Sequence, residues 1–333
     1  MKFLKKATHN KTKITLSLLL SFVLCIGGIF SLSGCTGTNE EDEGKIKIVC
    51  TTFVLYDWVR EVLGDDIESY SLNILGANGA DIHSYQPTVK DITLISKSDM
   101  FIHIGGESDS WVEDTLSSAA NTDMVRLNLA EHLSDKLCAD EHSHEHEESE
   151  EHEHSIDEHI WFSFDCSRCA VTLISEALCA LRPESAVTYR NNASAYCAEI
   201  SALERDYISA AENGAQKTAV VADRYPFSYL FSSLGIECEA AFTGCSAESE
   251  ASFEVIASLS ATIDKHSLSY VIVCENSDKK IADAVIKNTK DKDMQILTLN
   301  SLQAISESEI EKGASYLSVM RENLQTLALA LSK

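Results

Sequence analysis

From Pro183 to Asn213 the chain reads PESAVTYRNNASAYCAEISALERDYISAAEN, and after its opening proline the stretch contains neither proline nor glycine. Proline in a first turn and Gly214 immediately after the last residue are the start and stop signals of a helix. At about 1.5 Å per residue such a helix runs roughly 45 Å. That is longer than a small lobe is wide, so the stretch predicts one rigid helix joining two lobes.

The segments on either side fit this reading. From Lys45 onward KIKIVCTTF, YDWVREVLG, IESYSLNIL, VKDITLISKSDM and FIHIGG alternate strand and helix patterns. KTAVVAD, PFSYLFSSLG, IECEAAF, LSYVIVCEN, KKIADAVIKNT and MQILTLN repeat the alternation after the helix. Strands that alternate with helices form parallel sheets with crossover helices. The expected fold class is α/β: two lobes with mainly parallel sheets flanked by helices. At 333 residues and 44% hydrophobic, the chain has enough apolar material for a core in each lobe. Ligands of open parallel sheets bind at strand ends, so the cleft between the lobes is where the chemistry is expected.

The first residues read differently. MKFLKKATHNKTK carries five lysines and no acid, ITLSLLLSFVLCIGGIF is apolar, and Leu-Ser-Gly-Cys follows at Leu32–Cys35. This is the layout of an export signal, and the last four residues resemble a lipobox, whose cysteine takes lipid. Residues 1–34 are therefore expected to be a lipoprotein signal peptide, with Cys35 the lipidated residue that attaches the chain to the outer face of the cell membrane. Residues 35–44 form an acidic tether, 45–182 the first lobe, 183–213 the linking helix and 214–333 the second lobe. The full chain carries a formal charge of −25, and removing the five signal lysines makes it −30. That surface excludes nucleic acid as a partner and draws cations weakly and without specificity.

Nine cysteines remain beyond Cys35, an odd number, and most lie inside apolar helix or strand patterns where cysteine acts as a small hydrophobe. Few or no disulfides are expected. Cys166 and Cys169 make one C-x-x-C, a weak signal. They stand one turn apart at the start of an apolar helix and are read as core residues.

Between Asp140 and Glu158 stand five histidines and ten carboxylates, with Ile156 the one apolar residue. Such a run cannot bury a core, so residues 140–156 are expected to form a loop inserted in the first lobe. Neutral imidazoles at His142, His144, His146, His152 and His154 can capture metal transiently, and the plain alternative is a solvated spacer.

Two further histidines sit in folded surroundings. His83 in GADIHSYQPT follows a strand and precedes Pro87, and His159 in IDEHIWFSFD is anchored by Ile160, Trp161 and Phe162. These two stretches resemble the zinc- and manganese-binding solute-binding lipoproteins of ABC transporters, whose first lobe carries G-x-x-P-H-x-Y-E-P-T and D-P-H-I-W-L-S-P motifs. His83, Tyr85, Pro87 and Thr88 follow the first motif, with Gln86 in place of its acid. Asp157, His159, Ile160, Trp161 and Ser163 follow the second, with Glu158 in place of its proline.

The resemblance runs from about Lys45 to the C-terminus. It implies a monomer that captures a divalent ion, Zn2+ or alternatively Mn2+, and delivers it to a membrane permease with a separate ATPase. It also implies a third ligand, His or Glu, after the first strand of the second lobe. In VVADRYPFSYL, counting back from Phe227 reaches Arg224, which cannot bind a metal, and counting forward from the strand reaches Asp223. Asp223 is the expected ligand, with an Asp–Arg pair that starts a helix as the alternative. Some relatives add a carboxylate from a later strand end, and Glu275 in VIVCENSDKK is expected there, while Asp278 is read as a helix cap. The loop with Cys245 and Glu248 is read as capping, with cleft lining as the alternative.

Imidazole with carboxylate suits zinc, and manganese accepts the same set. The histidine-rich insertion, similar to loops in the family's zinc-specific members, favours zinc. Two histidines and a carboxylate would also fit a zinc hydrolase, but H-E-x-x-H and other compact hydrolase motifs are missing, so no enzyme is expected. Surface adhesion is the remaining alternative.

Overall fold

The structure is a computed structural model and describes residues 44–76, 82–117, 119–137, 156–242 and 251–332. Cys35, the five histidines of the 140–156 run, Cys245 and Glu248 lie outside the described residues.

The first half contains β1 (Ile46–Cys50), α1 (Phe53–Leu63), β2 (Tyr70–Ile74), α2 (Val89–Ser96), β3 (Met100–His103), α3 (Val112–Ser117), β4 (Val125–Asn128), α4 (Leu129–His132) and α5 (Phe164–Leu181). Its strands form one parallel sheet in the order β2-β1-β3-β4. The helix α6 (Ala186–Asn213) follows. The second half contains β5 (Thr218–Val221), α7 (Ser228–Ser233), β6 (Glu237–Ala240), α8 (Phe253–His266), β7 (Tyr270–Cys274), α9 (Lys280–Asn288), β8 (Gln295–Leu299), α10 (Glu307–Glu311) and α11 (Tyr316–Ala330). Its sheet is also parallel, in the order β6-β5-β7-β8. Both halves thus place their first strand between their second and third. The α/β reading with two parallel sheets and a long connecting helix holds.

Strand alternation sends successive residues to opposite faces. In β1, Ile48 and Cys50 join the large core beside the linking helix, and Val49 joins a smaller cluster on the far face with Ile95, Phe101 and Val112. In β7, Ile272 and Cys274 face the large core, and Val271 and Val273 pack outward against Leu259, Ile263 and Val285. The large core runs without a break from one sheet to the other.

A 3-10 turn at Pro183–Ser185 starts the linking segment, and 28 helical residues follow, about 42 Å of helix. Tyr189, Ala193, Tyr196, Ile200, Leu203, Tyr207 and Ala211 recur every three or four residues and are all buried. They form one apolar stripe along α6. Gly214 follows it in extended backbone, and a Cβ there would come within 2.8 Å of the Leu331 Cβ just past the end of α11.

One carboxylate ties these parts together. Asp57 on α1 is fully buried. Its Oδ1 accepts Arg60 Nη2 at 2.5 Å, and its Oδ2 accepts the Tyr316 backbone N–H at 2.8 Å and the Tyr196 hydroxyl at 3.2 Å. First lobe, linking helix and closing helix therefore share one acceptor. Burial outweighs these partners and pushes the carboxyl up to about 6 from an ordinary 3.8.

The folded protein therefore binds this proton more tightly than the unfolded chain. Its contribution is fully present below about pH 4 and is lost as pH rises through about 6, a difference on the order of 3 kcal/mol. Asp57→Asn keeps the shape without titrating. Urea unfolding across that range is expected to show the variant gaining on wild type as pH rises, and parallel curves would contradict the assignment.

Candidate metal centre

The turn Ile82–Ser84 and the turn Ile160–Phe162 bring His83 and His159 face to face. Their Nε2 atoms stand 3.3 Å apart, with ring centroids at 5.3 Å and planes tilted by 47°. His159 is buried, and the His83 side chain is 27% exposed. The pair is thus reachable from one side and walled on the other.

Each ring is gripped at Nδ1. His159 Nδ1 lies 2.6 Å from Asp157 Oδ1, and the same oxygen accepts the His159 backbone N–H at 2.9 Å. His83 Nδ1 lies 2.7 Å from the Ser108 hydroxyl. A carboxylate can only accept, so Asp157 assigns the His159 proton to Nδ1 and leaves Nε2 as a lone pair. Burial alone would push Asp157 up, but its bonds to His159 and Ser228 outweigh that and hold the carboxyl below its usual range. Glu158 moves the other way. Burial pushes it up against the Ser108 bonds that lower it.

The His159 segment is also fastened to the second lobe. Ser228 of α7 donates its hydroxyl to Asp157 Oδ2, and the Tyr229 hydroxyl donates to the Asp157 carbonyl at 3.0 Å. Trp161 stands edge-on to His159 with centroids at 5.2 Å, and its Nε1 donates to the Ser301 carbonyl at 3.0 Å. Phe162 packs edge-on against Phe227 at 5.1 Å.

The two expected second-lobe carboxylates sit at neighbouring strand ends, Asp223 after β5 and Glu275 after β7. Asp223 Oδ1 accepts the Arg224 N–H at 2.8 Å, and Oδ2 accepts the Cys274 N–H at 3.2 Å. Glu275 Oε2 accepts the Ser301 N–H at 2.7 Å, and Oε1 accepts the Ser301 hydroxyl. Both carboxylates are therefore engaged with backbone. Among the described residues, no group of three or more His, Cys, Asp and Glu side chains is arranged to hold a metal ion. The structure brings His83 and His159 together and does not bring Asp223 and Glu275 into a metal-holding group with them.

Asp278 accepts the Lys280 N–H at 3.0 Å, but the N-cap position of α9 belongs to Lys279, so Asp278 stands one residue before the cap expected of it. Cys166 is buried and Cys169 half-buried near the start of α5, and both are free thiols. The parts that sequence reasoning passed over are Ser108 and the gripping role of Asp157. Asp157 left a signal, standing two residues before His159. Ser108 left none, being 25 residues from the ring it touches.

Each backbone N–H that loses a buried acceptor costs about 1–3 kcal/mol. Asp223→Ala removes the acceptor of two half-buried N–H groups, so the metal-free protein is expected to lose on the order of 1–3 kcal/mol of stability in urea unfolding. Unchanged stability would show that these bonds contribute nothing.

A family model described as "ZnuA: Zinc-uptake complex component A periplasmic" matches residues 48–330. The zinc-binding protein AdcA of Streptococcus pyogenes serotype M6 is 29% identical over 297 residues, covering 86% of this chain and 56% of its own length. The chain thus spans little more than half the length of that relative. The high-affinity zinc uptake system protein ZnuA of Bacillus subtilis is 27% identical over 297 residues, covering 89% of this chain and 90% of its own length. Among solved structures, Zn(II)-bound AdcA from Streptococcus pneumoniae aligns with a TM-score of 0.70 at 25% identity, over 87% of this chain and 58% of that one. A match of this extent places the chain in the family of periplasmic zinc-uptake component A proteins.

Proposed function

We propose that the protein captures a divalent metal ion, zinc before manganese, and passes it to an ABC permease for import. The observation that carries this reading is the facing pair of imidazoles. Two nitrogens each about 2.0–2.1 Å from a tetrahedral zinc ion stand roughly 3.3–3.4 Å apart, and His83 Nε2 and His159 Nε2 are 3.3 Å apart. With both ring protons on Nδ1, the two Nε2 lone pairs would face each other at that distance and repel, and a cation between them would relieve this. Relatives named for zinc binding and zinc uptake support the choice of metal.

Asp223 and Glu275 are the proposed carboxylate donors from the second lobe. An oxygen that accepts one N–H keeps a second lone pair, so their backbone bonds orient them without exhausting them. The histidines at 142, 144, 146, 152 and 154 are proposed as a collecting set that feeds the centre. Cys35 is proposed as the lipid attachment point at the outer face of the membrane. The role is binding and delivery, with no catalytic step.

Zinc titration with elemental analysis tests this reading. The protein lacking residues 140–156 is expected to retain one tightly held ion, and His83→Ala and His159→Ala each to weaken it by orders of magnitude. Loss of all bound metal on deleting the run would transfer the site to the loop and refute the pair. Asp223→Asn and Glu275→Gln, titrated separately, show whether either donates. A ligating imidazole must be unprotonated, so affinity is expected to fall as pH drops below about 6.5.

A further inference from the structure

Asp157 and Glu158 are consecutive carboxylates, and each stands behind a different imidazole. Asp157 takes the Nδ1 side of His159. Glu158 stands on the Nδ1 side of His83, its Oε2 3.8 Å from that nitrogen. Its Oε1 accepts the Ser108 backbone N–H at 2.8 Å, and the Ser108 hydroxyl lies 2.7 Å from His83 Nδ1. Ser108 is therefore held by Glu158 while it faces the ring.

The surroundings are shaped to admit this carboxylate. Glu158 is 5% exposed and its Oε2 has no hydrogen-bond partner among the described residues. Gly106 sits at φ 93, and any Cβ there would collide with Glu158 Oε1. The adjoining cavity, lined by Thr51, Ile104, Asp109 and Gln303 among others, measures only ≈ 20 Å³. That is room for about one water molecule. An acid buried this way is costly unless a polar hydrogen faces it, and His83 Nδ1 stands 3.8 Å from Oε2.

We infer that Glu158, working with Ser108, is a positioning residue for His83: it selects the tautomer with the proton on Nδ1 and leaves Nε2 bare toward His159. The inference rests on the reading of His83 and His159 as ligands. The D-P-H-I-W motif that this stretch resembles has proline at the position of Glu158, so the carboxylate is a feature of this chain beyond that pattern. An Nδ1–H becomes a stronger donor once a cation binds Nε2, so an anion behind Ser108 favours the loaded ring as well.

The tautomer can be read by ring-nitrogen NMR on the purified full chain stripped of metal. Wild type is expected to show a protonated Nδ1 and a bare Nε2 at His83. Glu158→Gln is expected to shift His83 toward the Nε2-protonated form, to leave His159 in place, and to raise the zinc Kd roughly 10- to 100-fold. Ser108→Ala is expected to produce the same shift and Ser108→Thr to reverse it, and this pair leaves the buried carboxylate in place should Glu158→Gln fold poorly. A His83 tautomer unchanged in both Glu158→Gln and Ser108→Ala overturns the inference. The underlying ligand reading fails on a different result, unaltered zinc binding in His83→Ala.

Discussion

The buried indole of Trp161 is the contact on which the geometry of the site depends. Its Nε1 donates to the Ser301 carbonyl in the second lobe, while its own carbonyl accepts the hydroxyls of Tyr316 and Ser167 at 2.9 and 3.1 Å. A tryptophan buried without a partner for its N–H would lose much of what its apolar area gains. Here that partner lies across the lobe boundary. His159, two residues earlier and edge-on to the ring, cannot shift without disturbing both halves. Glu275 extends the same chain of contacts, because it fixes Ser301, which holds Trp161.

The lobes share a core rather than touching at a hinge. Buried residues of both sheets, of α1, α5, α6 and α11 belong to one continuous cluster, and Asp57 gathers hydrogen bonds from α1, α6 and α11 on one carboxylate. A core of this kind resists small deformations, because native packing density leaves few voids into which it can relax. The imidazole pair is consequently held in place by the body of the fold, at the position where turns leave strands and helices.

Much of this was readable in the sequence because it is written in local pattern. Apolar runs such as KIKIVC and SYVIVC alternating with helical stretches gave the parallel strands, and the long proline- and glycine-free run gave α6. The histidines stood out through their neighbours, Pro87 on one side and Ile160–Phe162 on the other. What stayed hidden depends on distant partners. A carboxylate at a strand end looks the same whether it meets a ligand or a neighbouring amide, and the amides that Asp223 and Glu275 hold belong to Cys274 and Ser301, 51 and 26 residues away. Glu158 looked like a simple departure from a motif, since nothing nearby in sequence reveals that Ser108 and Gly106 close around it.

On the proposed ligand reading, the arrangement of acids around the pair also bears on which cation it prefers. A proton shared between the two Nε2 atoms would relieve their repulsion, and it is the constant competitor of any metal. It brings one positive charge. A divalent ion brings two, and with the inferred His83 tautomer it does so while both Nδ1 atoms keep their acceptors, Asp157 on one ring and Ser108 backed by Glu158 on the other. Both acids are largely withdrawn from solvent, so their fields act on the pair with less screening than surface charges would. The diffuse negative charge of the chain draws cations toward the protein, but on the proposed ligand reading the discrimination between one charge and two arises within a few ångströms of the imidazoles.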